Sequence, residues 1–128
     1  MNLLLDTNAF IWALNGSPRL GAARGAVASA ENTIYVSVVS AWEMAIKSGL
    51  GKLSMPPDIK TWLPDRLTEH RFETLGIKLD HVLDVEQLPL HHRDPFDRLL
   101  VAQARAEKLT IVTGDPQLEP YDVKLLRC

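Results

Sequence analysis

Short apolar runs and helix-spaced apolar positions take turns along the whole chain. Asn2–Leu5 is a compact apolar run closed by Asp6, which predicts a short buried strand. From Thr7 to Leu14 the apolar residues fall at helical spacing and stop at Asn15-Gly16. The alanine-rich stretch 20–30 predicts a second helix, and Thr33–Val36, β-branched and aromatic, a second strand. Residues 37–47 predict a helix punctuated by Gly49 and Gly51, and Pro56-Pro57-Asp58 starts another that Pro64 interrupts. Residues 71–75 predict a third strand and 80–87 a short helix. The clearest helix opens at Asp94-Pro95 and runs to about Lys108, followed by strands at 110–113 and 123–126. Strands alternating with helices from end to end predict the parallel α/β class. The sequence has no internal repeat, low-complexity tract or linker.

Composition narrows the picture only a little. A chain of 128 residues, 46 % hydrophobic, is expected to form one domain over residues 1–128 with a core large enough to need no disulfide. Its single cysteine, Cys128, is unpaired, as befits a reducing compartment. The first residues lack a positively charged start, and their apolar run stops after Leu3-Leu4-Leu5, unlike a secretory leader. No stretch approaches the ~20 apolar residues of a membrane span. The expected location is the cytoplasm. A net charge of −2 argues against a large basic nucleic-acid surface. It leaves a nuclease open, because bound metal ions supply positive charge where acidic residues cluster.

The acidic residues fall at places where an α/β sheet does its chemistry. Asp6 follows the first strand, Glu43 lies in the first turns of the helix after the second, and Asp115 stands just past the strand ending at Thr113. Parallel strands would gather these three at one sheet edge, outside the carboxyl ends where ligands bind. Asp97 joins them from the start of the long helix, one turn from Leu100 and Val101 and so on their inward side. Each has a plainer role available. Asp6 and Asp115 suit turns or caps, Ser40-Ala-Trp-Glu43 matches a capping box, Glu43 and Lys47 pair at i,i+4, and Asp94-Pro95-Phe96-Asp97 is a good helix start. Together, however, inward carboxylates without matching lysines repel one another unless a cation occupies the site. Hard oxygen donors suit Mg²⁺ or Mn²⁺ rather than zinc. The reaction this pattern points to is metal-dependent phosphodiester hydrolysis.

The blocks also form a familiar set. Leu3-Leu-Leu-Asp6-Thr7-Asn8, then Ser37-Val-Val-Ser-Ala-Trp-Glu43-Met-Ala-Ile-Lys47, then His91-His-Arg-Asp94-Pro-Phe-Asp97-Arg-Leu-Leu-Val-Ala-Gln-Ala104 and Leu109-Thr-Ile-Val-Thr-Gly-Asp115 resemble, in order and spacing, the acidic motifs of PIN domains. The short length and the Arg-Asp-Pro-Phe-Asp-Arg form are similar to the VapC-type toxins of toxin–antitoxin pairs. The resemblance implies a three-layer α/β/α PIN-like fold with a central, mostly parallel sheet of about five strands. It implies an endoribonuclease using Mg²⁺ or Mn²⁺ and an acidic quartet of Asp6, Glu43, Asp97 and Asp115. Asp6 and Asp97 would be the most direct ligands, and a carboxylate or bound hydroxide the base for an attacking water. Thr7, Asn8 and Thr113 would support the quartet or touch phosphate, and Asp94 would assist or only cap. Arg93 and Arg98 would be candidates for RNA phosphates. The implied partners are the RNA substrate, a second copy in a homodimer, and a cognate antitoxin in a larger hetero-oligomer.

Other readings fit the residues less well. A non-catalytic binding module on the same fold would have no use for all four acids. A phosphatase of the Asp-x-Asp type lacks its second aspartate, because Asn8 stands there. Gly49-Leu-Gly51-Lys52 misses the first glycine and the Ser/Thr of a phosphate loop. The pair His91-His92, with no cysteine cluster beside it, reads as a surface pair. Trp12 and Trp42 read as core, Trp62 as core or part of a partner groove, and the stretch 50–57 as an exposed loop near that groove.

Overall fold

The computed structural model describes residues 1–56 and 58–128. Five strands, β1 (Asn2–Leu5), β2 (Thr33–Ser37), β3 (Glu73–Leu75), β4 (Thr110–Thr113) and β5 (Leu125–Arg127), form one sheet in the order β3-β2-β1-β4-β5. Every strand pairing is parallel, with Leu5 in register with Val36 on one side and Val112 on the other. The chain builds outward from β1 to β2 and β3, then returns to β1's other side for β4. The carboxyl end of β1 is therefore the switch point of the sheet, where α/β folds bind ligands.

The helices are α1 (Thr7–Asn15), α2 (Arg24–Ala28), α3 (Val38–Gly49), α4 (Ile59–Glu69), α5 (Leu79–Asp84) and α6 (Pro95–Glu107). Because side chains alternate along a strand, β1 feeds both faces of the sheet. Leu3 and Leu5 pack with Phe10, Ile34, Val36 and Phe72, together with partly buried residues of α1, α2 and α4. Leu4 packs on the other face with Val39, Leu100, Val101 and Ile111. The result is the three-layer α/β/α arrangement, with β1 buried on both sides. Among the described residues, no helix is long and apolar enough to cross a membrane.

Several elements differ from the sequence reading, each for a local reason. The predicted helix over 20–30 is a 3-10 segment, Pro18–Ala23, followed by the short α2. Gly21, at φ 55° and ψ −131°, breaks the helical path, in a conformation that side-chain-bearing residues avoid. Pro64 does not interrupt α4 but sits inside it, on its exposed side, where the carbonyl it leaves unbonded can reach water. Pro57, part of that helix's predicted start, lies outside the described residues. The strand expected at 71–75 begins only at Glu73, since Arg71 is left-handed at φ 58° and turns the chain into it. The last strand begins at Leu125 because Val123 is still in a turn, its N–H bonded to the Tyr121 carbonyl. The cap of α3 is Ser37, whose hydroxyl accepts the Val39 N–H at 3.0 Å, so Ser40 is not part of a capping box.

Candidate active site

Helix capping and site building use the same residues. Asp6 ends β1 and caps α1, its Oδ1 accepting the Ala9 N–H at 2.8 Å. Asp115 follows β4, and its Oδ1 accepts the Gln117 N–H at 2.9 Å. Asp94 caps α6 through Phe96 and Asp97. Asp97 stands one turn into that helix and caps nothing; its Oδ2 meets His92. Glu43, on the buried face of α3, accepts the Thr7 hydroxyl at 2.6 Å on Oε1 and the Lys47 ammonium at 2.5 Å on Oε2. The Thr7 hydroxyl also lies 3.0 Å from that of buried Ser40, which locks the α1–α3 junction.

These side chains surround one cavity of about 190 Å³, lined by Asp6, Thr7, Asn8, Glu43, Lys47, His92, Asp94, Asp97 and Asp115. Asp6 and Glu43 are deepest, each only 5 % exposed. The tightest group of donors is His92, Asp97 and Asp115, whose ligand atoms all lie within 4.8 Å of one another. Thr113 is fully buried beneath them, its hydroxyl accepting the Asp115 N–H at 3.0 Å. The long helix does return to the sheet edge: α6 starts at the same cavity that β1 and β4 run into.

The electrostatics follow from crowding. Five of the lining side chains are carboxylic acids against one lysine, Lys47, already committed to Glu43, and one imidazole, His92. Burial pushes the Asp6 carboxyl up; hydrogen bonds from Thr113 and Ala9 pull it back, and the charges of Asp115 and Glu43 raise it further. Asp97 is pushed from an ordinary 3.8 to about 7, by burial first and then by the charge of Asp94, with the His92 bond opposing. The Lys47 ammonium is pushed up as well, held protonated by its hydrogen bond to Glu43. Crowded carboxyls, two of them held back from ionising, with oxygen donors all round but for one imidazole, fit a hard divalent cation that would relieve their repulsion. Asp6, Glu43, Asp97 and Asp115 would hold it.

Not every expected residue faces this cavity. Arg98 turns away from it: its guanidinium donates to the carbonyls of Val85, Leu88 and Pro89 and to the Tyr121 hydroxyl, so it anchors a loop. Arg93 is exposed and does not line the cavity. Trp42 is not core; it is 53 % exposed, with its ring edge-on to Phe96. Trp12 is partly buried against the core, and Trp62 lines an apolar groove with Leu14, Leu53 and Met55. His91 and His92 are not a surface pair. His92 enters the acidic cavity, while His91 packs edge-on against Tyr121. Adjacent side chains diverge, and the divergence is what sends one of the two inward.

Residues 3–124 match the PIN domain family, and the chain belongs to it. Ribonuclease VapC16 of Mycobacterium tuberculosis is 39 % identical over 69 residues, which cover 50 % of this chain and 48 % of that protein. The matched region thus spans about half the length of this curated relative. Among solved structures, VapBC2 from Rickettsia felis, bound to a DNA fragment from its promoter, superposes with a TM-score of 0.76 at 20 % identity, covering 100 % of this chain and 99 % of that one. DNA-bound VapBC from Salmonella typhimurium gives 0.71 at 15 % identity, covering 99 % and 98 %. VapBC-5 from Mycobacterium tuberculosis gives 0.62 at 20 %, also covering 99 % and 98 %. At such identities the likeness shows the shared fold.

Proposed function

We propose that this chain, as one domain, is a metal-dependent endoribonuclease and the toxin of a toxin–antitoxin pair. Its reaction is hydrolysis of RNA phosphodiester bonds, and Asp6, Glu43, Asp97 and Asp115 would hold the Mg²⁺ or Mn²⁺ ion that would activate the attacking water. The observation that carries this reading is the meeting of four carboxylates from β1, α3, α6 and the end of β4 in one cavity at the sheet's switch point. A bound divalent ion would lower the pKa of its water and offset the charge developing on the phosphodiester. The chain's own residues prepare the site. Asp6 and Asp97, whose carboxyls burial pushes up, would be the direct ligands. Thr7 and Lys47 fix both oxygens of Glu43, so that carboxylate is oriented before substrate arrives. Asn8 is exposed at the rim, where its amide can meet a phosphate. Asp94 serves as the cap that starts α6.

The name of the ribonuclease relative supports RNA as substrate, and the VapBC neighbours support an antitoxin as partner. We place the protein in the cytoplasm, as a homodimer that joins the antitoxin in a larger assembly. Val38, Trp42 and Ile46 recur once per turn on α3 and stay exposed, a surface a monomer seldom keeps uncovered.

The test is the chemistry of the cut. Attack by a metal-activated water leaves one terminal phosphate and one hydroxyl, whereas attack by the RNA's own 2′-hydroxyl leaves a cyclic phosphate. The expected products carry no cyclic phosphate, Asp97→Asn abolishes them in a folded protein, and Asp94→Asn, still a good cap, retains most of the activity. Cyclic ends, or equal loss in both variants, would overturn the assignment of roles.

A further inference from the structure

His92 is the one lining residue that the functional reading leaves without a task. Its Nε2 lies 2.8 Å from Asp97 Oδ2 and 3.1 Å from Asp115 Oδ2. Two ligands set at a right angle around one ion, each about 2.1 Å away, stand about 3 Å apart. The imidazole nitrogen therefore already occupies, relative to two of the quartet's oxygens, the spacing of neighbouring corners of an octahedron.

The ring is also held there by contacts distant in sequence. The His92 N–H donates to the Tyr121 hydroxyl at 3.0 Å, and the Arg98 guanidinium donates to the same hydroxyl at 3.2 Å. Arg98 further ties down the Pro89 carbonyl at 3.0 Å, so the loop leading to His92 is fixed at both ends. Tyr121 is itself only 4 % exposed. The His92 side chain is 11 % exposed and has little freedom to leave the cavity.

We propose that His92 is a further ligand of the divalent ion and gives the site a preference for Mn²⁺ over Mg²⁺. The inference rests on the metal-nuclease reading and adds one nitrogen to its oxygen donors. Imidazole is a good ligand for transition-series ions, whereas Mg²⁺ favours oxygen and keeps its water. The His92 Nε2 hydrogen-bonds Asp97 and lies 3.1 Å from Asp115 Oδ2, so the two oxygens stand at ligand spacing from it. As a ligand, the ring would present its Nε2 lone pair to the ion. Tyr121 and Arg98 are positioning residues: they act through the loop that carries His92.

The experiment loads the metal-free full chain with Mn²⁺ and records electron spin-echo modulation, without RNA. The wild type is expected to show nitrogen coupling to Mn²⁺ that changes pattern when histidine is labelled with ¹⁵N. His92→Gln should lose the coupling and bind Mn²⁺ about tenfold more weakly, with Mg²⁺ affinity changed less than about threefold. Mn²⁺ that binds the wild type, is lost in Asp6→Ala, and shows no nitrogen coupling would overturn the role of His92 and leave the metal site intact. Absence of specific Mn²⁺ binding by the wild type would overturn both. The wild-type spectrum decides the matter even where a variant fails to fold.

Discussion

Asp97→Asn separates the cost of the acidic site from its use. In the metal-free protein the Asp97 carboxyl is pushed from 3.8 to about 7. The unfolded chain therefore releases this proton at a lower pH than the folded one, and ionisation favours unfolding. The sign is that of a raised acid: stability is lost as pH rises from about 4, and the loss is complete above about 7. One pKa unit is worth about 1.4 kcal/mol, so the displacement corresponds to about 4 kcal/mol. The side chain is 18 % exposed, and water reaching it trims this to about 1–3 kcal/mol. Asparagine keeps the shape and an acceptor for His92 but carries no charge. In chelator, Asp97→Asn should match wild type near pH 4 and exceed it by about 1–3 kcal/mol at pH 8. Urea unfolding at pH 4, 6 and 8 measures this directly. Excess Mg²⁺ or Mn²⁺ should stabilise wild type by mass action and leave the variant unmoved. A variant less stable than wild type at pH 8 without metal, or a difference independent of pH, would refute the reasoning.

Two further outcomes test how the fold supports the site. Arg98→Ala should cost about 2–4 kcal/mol in chemical denaturation, because it frees the carbonyls of Val85, Leu88 and Pro89 and one donor to Tyr121. No loss would show that the loop before α6 is held by other means. Gly21→Ala should cost about 1–3 kcal/mol by the same measurement, since it forces a side chain onto a left-handed residue whose Cβ would sit 3.3 Å from the Cys128 backbone.

The sheet was legible because β1 and β4 are short, uninterrupted apolar runs, and α6 because Asp94-Pro95 announces its start. The convergence of three of the four proposed ligands was legible for a related reason: carboxylates just beyond strand ends or early in helices fall at the carboxyl edge once the strands are parallel. What local pattern does not carry is the path of a loop. His92 reaches the cavity because Tyr121 and Arg98 hold its backbone, contacts made across 29 residues and between groups 23 apart. Neither spacing nor composition encodes that. Trp42 misled for a similar reason, since α3 gives its buried face to Val39, Ser40, Glu43 and Met44 and leaves the tryptophan outside. At the break at Gly21, a Cβ would meet the Cys128 backbone, again a contact between distant parts of the chain.

The most direct test of the central claim is cleavage of labelled RNA by the purified, metal-free chain. The account predicts no cutting in chelator, discrete cuts on adding Mg²⁺ or Mn²⁺, and none at any metal concentration with folded Asp6→Ala. Cutting that persists in chelator, or survives the loss of Asp6, would contradict it.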